Sequence, residues 1–179
     1  MNIVTLDIEA GGLKSPFDQL LTVAFKPYHK KPYVFKRDIQ ADSDKEFLKQ
    51  VRQEIEKYDC LITYYGIGYD IPFLNGRLLK HRLEPLKRML HIDCYRLAKT
   101  IFHWTIHSRR LVTICEHLGI AGKTRVTPDD WETVKYYHEA KSKSAALEKI
   151  AYHNLWDVIT LEQAYDQCFK KFLKSVSVS

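Results

Sequence analysis

Asp7 and Glu9 stand two residues apart in Ile3-Val4-Thr5-Leu6-Asp7-Ile8-Glu9-Ala10, an apolar run close to the start of the chain. A β-strand sends alternate side chains to opposite faces, so both carboxylates leave the same face of such a strand. Side by side they repel each other unless positive charge lies between them. A hard divalent cation, Mg²⁺ or Mn²⁺, suits an oxygen-lined site of that kind. The same alternation also describes an ordinary strand with an apolar face, Val4, Leu6, Ile8 and Ala10, and a face open to water, Thr5, Asp7 and Glu9. Gly11-Gly12 follows at once, ending the strand and letting backbone or a ligand approach closely.

Two later segments carry acidic residues in settings that invite chemistry. Thr63-Tyr64-Tyr65-Gly66-Ile67-Gly68-Tyr69-Asp70-Ile71-Pro72 runs from an apolar stretch through a glycine-shaped turn to Asp70 at a helix entrance. Asp70 there serves as a helix N-cap, as a metal ligand, or as both. Tyr152-His153-Asn154-Leu155-Trp156-Asp157-Val158 places His153 and Asp157 four apart, on one face of a helix. Asp is a poor residue for a helix interior, and a carboxylate among Leu155, Trp156, Val158 and Ile159 needs a partner. A cation, a salt bridge or open solvent each meets that need.

The elements that must position these residues follow from periodicity and punctuation. Strands are predicted over 2–9, 19–26, 32–36, 60–64 and 89–92, with the second and third joined across His29-Lys30-Lys31. The first three imply an antiparallel part of a sheet. Helices are predicted over 42–57, where Phe47, Leu48, Val51 and Ile55 recur at helical spacing, over 71–82 beginning near Pro72, and over 95–102. Ser108 is the predicted cap of a helix carrying Leu111, Ile114, Cys115 and Leu118 and stopping at Gly119. Thr127-Pro128 opens another, with Asp129, Asp130 and Glu132 complementing its dipole. A long helix over 144–173 closes the chain. Strands first, then strands alternating with helices, give an α/β sheet covered by helices. The expected organisation is a single domain over 1–175 and a frayed tail over 176–179.

Composition narrows the class. Of 179 residues, 45% are hydrophobic, which indicates a globular chain. No apolar stretch reaches the length of a membrane span, and Asp7 would interrupt any signal-peptide core. Cys60, Cys94, Cys115 and Cys168 form no Cys-x-x-Cys pair and are expected to be free thiols in a reducing, cytoplasmic compartment. The net charge of +6 gathers at Lys30, Lys31, Lys36 and Arg37, at Lys80, Arg82, Lys87 and Arg88, at Arg109 and Arg110, at Lys123 and Arg125, and at Lys170, Lys171 and Lys174. Such clusters suit a polyanion and equally suit solvated surface. His91, His103, His107 and His117 show no metal-site spacing.

Taken in order, the three acidic segments resemble the motifs of the DnaQ-like, or DEDD, 3′–5′ exonuclease superfamily, of ribonuclease-H-like fold. The first is Asp-x-Glu, here Asp7 and Glu9; the second ends at Asp70 in Tyr69-Asp70-Ile71-Pro72; the third is His153-Asn154-Leu155-Trp156-Asp157. The look is that of family B DNA polymerase proofreading domains and related stand-alone ribonuclease-H-like domains, and it covers nearly the whole chain, with Ile92-Asp93 and Leu111–Ile120 also similar. The resemblance implies a mixed β-sheet flanked by helices. It further implies two divalent ions, Mg²⁺ or Mn²⁺, one held by Asp7, Glu9 and Asp157, the other by Asp7 with Asp70 directly or through water.

The implied activity is hydrolysis of phosphodiesters at single-stranded 3′ ends, of DNA or RNA, releasing nucleoside 5′-monophosphates. Recruitment by a larger replication, repair or RNA-processing machine fits the same resemblance. Two departures bear on the site. The polymerase-type second motif has Asn where this chain has Tyr65 or Gly68. The third motif mixes subtypes, with His153 four before Asp157 and Tyr152 five before. Spacing of four lies closer to the face of Asp157, so His153 is the expected general base and Tyr152 the alternative. Tyr64, Tyr65, Tyr69, Phe73 and Trp104 are the candidate stacking surfaces. The rival readings are a catalytically silent nucleic-acid-binding or partner-docking domain and a structure-selective endonuclease, both on the same fold.

Overall fold

The structure is a computed structural model that describes residues 1–103, 105–122, 126–136 and 140–176. Five strands form one sheet: β1 (Ile3–Ala10), β2 (Leu20–Pro27), β3 (Tyr33–Lys36), β4 (Cys60–Thr63) and β5 (Leu90–Asp93), in the order β3-β2-β1-β4-β5. β1 pairs antiparallel with β2, and β2 antiparallel with β3. β4 runs parallel to both β1 and β5. The mixed sheet arises because helix-free loops over 11–19 and 28–32 join the first three strands, whereas a helix connects each later strand to the next. These crossovers are α1 (Lys45–Ile55) before β4 and α2 (Asp70–Lys80) before β5.

The first strand packs on both faces. Val4, Leu6, Ile8 and Ala10 join one apolar cluster with Phe47, Leu48, Val51 and Ile55 of α1 and Phe73, Leu74 and Leu78 of α2. The opposite face is only partly closed to water: Thr5 is buried, and Asp7 and Glu9 are half-buried. It packs against α6 (Ala140–Ala164), whose Asn154 bonds both Asp7 and Thr22. A bulge sets the edge of this face: Glu9 pairs with Thr22 and Ala10 with Leu20, leaving Leu21 as the extra residue. That insertion lets Leu20 and Val23 both enter the α1–α2 cluster, while Leu21 turns to the other side against Val134 and Ile150.

Between β5 and α6 lie α3 (Cys94–Ile101), α4 (Leu111–His117) and α5 (Pro128–Tyr136). α3 and α4 build a second cluster with the end of α6, through Cys94, Ala98, Ile114, Leu161 and Phe169. The closing helix is longer than predicted and is not uniform. It starts at Ala140, widens into a π-turn over Tyr165–Phe169, and resumes as α7 (Lys170–Val176), one residue into the segment expected to fray. The remaining expected tail, 177–179, lies outside the described residues.

Helix starts differ from prediction where side chains have stronger partners. α1 begins at Lys45 without a side-chain cap, because the Asp44 carboxylate is drawn inward to Arg77, His81 and the backbone N–H of Leu20. α4 begins at Leu111 after Arg110, and Ser108 only accepts from the Arg110 N–H at 3.3 Å. The Thr127-Pro128 start is as predicted: the Asp130 carboxylate accepts from the Thr127 N–H at 3.0 Å and its hydroxyl at 3.1 Å. Cys60, Cys94, Cys115 and Cys168 are free thiols. Among the described residues no helix is long and apolar enough to cross a membrane.

Candidate active site

Asp7, Glu9, Asp70 and Asp157 come together on the face of the sheet that α6 covers. The paired strand residues arrive from β1. Asp70 arrives from the start of α2, just beyond β4, which lies beside β1. Tyr69 takes the N-cap place, so Asp70 is the first helical residue, and its side chain is 3% exposed. The backbone N–H groups of Ile8, the residue between Asp7 and Glu9, and of Asp70 itself face its carboxylate and favour the charged form. Asp157 lies one helical turn after His153, whose Nε2 is 3.4 Å from Asp157 Oδ2. Ligand atoms of Glu9, His153 and Asp157 all lie within 4.8 Å of one another.

Three further residues shape the site, and sequence reasoning did not single out a role for any of them. Asn154 is fully buried; its Nδ2 donates to Asp7 Oδ2 at 2.6 Å, and its Oδ1 accepts from Thr22 Oγ1 at 2.9 Å. Trp131 of α5 donates its indole N–H to Glu9 Oε2 at 3.3 Å and packs edge-on against the His153 ring. Asp93 accepts from the backbone N–H groups of Tyr65, Ile67 and Tyr95, at 3.0, 3.1 and 3.0 Å, and so holds the turn that leads to Asp70. A buried Asn three residues before a helical Asp is a signal that could have been read. Asp93 leaves a local trace only as the cap of α3, through the Tyr95 N–H; its bonds to Tyr65 and Ile67 and the Trp131 contacts join residues distant in sequence.

The electrostatics are those of crowded, buried acids. Burial first, then the charges of Asp70, Asp157 and Glu9, hold the Asp7 carboxyl well above the usual carboxylate range, while the Asn154 amide works against the shift. Glu9 is pushed up to about 8 by burial and by Asp157, with the Trp131 N–H pulling the other way. Asp70 is pushed up to about 7, chiefly by burial. Burial also raises Asp157, and His153 eases it. Four such acids, with Asp7 and Glu9 raised further by the charge of their neighbours, form an oxygen donor set suited to divalent cations, which would turn repulsion into attraction. A second acidic group, Glu162 and Asp166 beside His29, differs in kind. Lys26 pairs with Glu162 at 2.7 Å and Lys170 with Asp166 at 3.6 Å, so its charge is balanced internally.

The other predicted residues separate clearly. Tyr152 is 56% exposed and packs on Trp156, away from the carboxylates, so of the two candidate bases only His153 faces them. Phe73 is a core residue, and the Tyr69 hydroxyl donates to the Gly12 carbonyl at 3.2 Å. Tyr65 keeps an exposed ring. Trp104, Lys123 and Arg125 lie outside the described residues. Several basic side chains are already paired, among them Lys36 with Glu148 and Lys87 with Glu56.

A mixed five-stranded sheet flanked by helices, with carboxylates gathered near the carboxyl ends of its central parallel strands, defines an α/β protein of ribonuclease-H-like fold. The RNase_H superfamily model matches residues 4–169, and the chain belongs to that superfamily. Its fold is similar to that of the family B DNA polymerase from the hyperthermophilic archaeon Pyrobaculum calidifontis, with a TM-score of 0.71 and 15% sequence identity. The match covers 92% of this chain and 24% of the polymerase chain, so this chain spans about a quarter of that protein's length. Comparison with curated proteins gives no match. Membership of the superfamily supports a nuclease-type activity and, with it, binding of nucleic acid and use of divalent metal.

Proposed function

We propose that this chain is a metal-dependent 3′–5′ exonuclease that hydrolyses phosphodiester bonds at single-stranded ends and releases nucleoside 5′-monophosphates. The observation that carries the reading is the clustering of Asp7, Glu9, Asp70 and Asp157, close enough for the other three charges to act on Asp7, with His153 3.4 Å from Asp157. Asp7, Glu9 and Asp157 would hold one ion, and Asp7 with Asp70 the second; Mg²⁺ and Mn²⁺ fit the all-oxygen donor set. When bound, such ions offset the charge that builds on the attacking and leaving oxygens of the phosphate.

The chain's own residues account for the rest. Asn154 orients Asp7 and keeps one of its oxygens committed, leaving the other for ligation. Trp131 does the same for Glu9 and, by packing on His153, fixes the imidazole plane. His153 Nε2 takes a proton from the water that attacks phosphorus; the P–O3′ bond breaks, and the 3′ oxygen leaves with a proton from solvent. The second motif has Tyr65 or Gly68 where the polymerase-type motif has Asn, so substrate contact at this turn differs from that of an amide.

The test is a time course on 5′-labelled single-stranded DNA and RNA with Mg²⁺, Mn²⁺ or chelator. A ladder shortening from the 3′ end, lost in Asp7→Ala and Asp157→Ala, is expected. Cleavage that persists on a blocked 3′ end makes the enzyme an endonuclease, and no metal-dependent cleavage of either polymer makes it a binding domain.

A further inference from the structure

An aromatic and basic groove of about 600 Å³ lies beside the candidate active site, lined by Tyr64, Tyr65, Tyr95, His107, Arg109 and Arg110. It adjoins a second hollow of about 430 Å³ that His153 and Asp157 line, and Leu111 belongs to the walls of both. A chain leaving the carboxylates past α4 would therefore enter the groove directly. We infer that this groove binds an unpaired stretch of polynucleotide, stacking a base on Tyr65 and placing phosphate against Arg109 and Arg110.

The groove is built, not incidental. Tyr65 has φ of 68°, a left-handed conformation that costs a bulky residue energy. The strain is held in place by Asp93, which accepts from the N–H groups of Tyr65 and Ile67. The Tyr65 ring lies over Gly68, where any Cβ would collide with it, and meets the Tyr95 ring edge-on at 5.0 Å. Despite those contacts the residue is 51% exposed. A strained backbone, a glycine cleared beneath the ring and an aromatic neighbour together give a rigid platform whose free surface has no use in the fold. The wall opposite is equally defined. The Tyr64 hydroxyl donates to the Arg109 carbonyl, which ties the 107–110 segment to the turn after β4.

Charge supports the same occupant. Lys36, Lys87 and Lys170 are each matched to a carboxylate. Arg109 and Arg110 have no carboxylate partner among the described residues, and both side chains reach solvent. Unmatched guanidinium charge next to an exposed ring suits phosphate and base together, the combination that binds single strands without reading sequence.

The inference rests on the nuclease reading only for the direction in which the strand runs, and its test does not need cleavage. Binding of labelled oligothymidylate, oligouridylate and a duplex is measured by fluorescence anisotropy with the intact chain in chelator, across a salt series. Tyr65→Gly, which suits the positive φ, should weaken single-strand binding by roughly tenfold or more, the size of one missing base stack. Tyr65→Trp should bind as the wild type does. Arg109→Ala with Arg110→Ala should lower the slope of log K against log salt by roughly 0.7 for each phosphate no longer neutralised. Equal weakening on DNA and RNA assigns the groove to base and phosphate; weakening on one polymer alone adds a sugar interaction in the same groove. Wild-type affinity in Tyr65→Gly, equal weakness in Tyr65→Gly and Tyr65→Trp, or duplex bound as tightly as single strand would each overturn the proposal. Absence of cleavage in Mn²⁺, with these binding effects intact, would sink the nuclease reading and leave the groove standing.

Discussion

Replacing Asp70 by Asn tests the electrostatics of the acidic cluster while keeping the shape of the side chain. Asp70 is 3% exposed, and its carboxyl is pushed from 3.8 up to about 7. At about 1.4 kcal/mol per unit, the ionised group costs the metal-free protein up to about 4 kcal/mol. The sign follows from proton counting. The unfolded chain ionises this acid first, so between about pH 4 and pH 7 the folded chain binds more protons, and stability falls as pH rises through that window. Asn stays neutral throughout. In chelator the variant and the wild type should therefore melt together near pH 4. At pH 8 the variant should melt higher by up to roughly 8–16 °C, at about 2–4 °C per kcal/mol for a chain of this size.

Mg²⁺ should reverse the ranking of gains. An ion at about 100 times its Kd stabilises the folded state by about 2.7 kcal/mol, or roughly 5–11 °C in the wild type. The variant, short of an acidic ligand, should gain less. Thermal circular dichroism at matched pH, in chelator and in Mg²⁺, reads both effects. Comparing the two proteins at each pH cancels Asp18, Asp44 and Asp130, whose hydrogen bonds hold their carboxyls below the usual range. Equal melting in chelator at pH 8, or equal gains with Mg²⁺, would refute the reasoning.

His153→Ala should lower kcat by roughly 10²–10⁴-fold, the usual contribution of a positioned general base, whereas Tyr152→Phe should leave it unchanged; single-turnover cleavage of a labelled strand decides, and the reverse order would move the base to Tyr152. Asn154→Ala removes the amide between Asp7 and Thr22 and should cost about 1–3 kcal/mol in denaturant melts, since both buried partners lose a bond. Arg77→Met takes the guanidinium from the fully buried Asp44 carboxylate, leaving it His81 and the Leu20 N–H, and should cost about 3 kcal/mol at neutral pH, with Asp44→Asn in the same chain recovering part of it. Unlike the Asp70 effect, that destabilisation should not respond to Mg²⁺.

Much of the fold is legible in the sequence because alternation and helical spacing are local properties. The strands and helices fall within a few residues of where periodicity places them. The misses occur where a distant partner outcompetes a local cap. Asp44 leaves its helix start for Arg77, 33 residues on, and Ser108 yields the cap position to Arg110. The π-turn at Tyr165–Phe169 is likewise a response to packing, with both of those side chains buried in the α3–α4 cluster.

The sequence by itself determined that Asp7 and Glu9 share a face and that His153 and Asp157 share another, because each pair lies within one element whose geometry is fixed by backbone sterics. It could not say whether the strand face was wet or covered, since that depends on where α6 lands, and Asn154 is 147 residues from Asp7. Tertiary structure decided it: α6 crosses that face, Asn154 reaches Asp7, and Asp70 comes in beside it from the start of α2. Partly covered, the carboxylates lose some of their water, and Asp7 and Glu9 feel the charge of their acidic neighbours. An acidic pair that any solvated strand could carry becomes part of a four-carboxylate cluster compatible with a divalent cation.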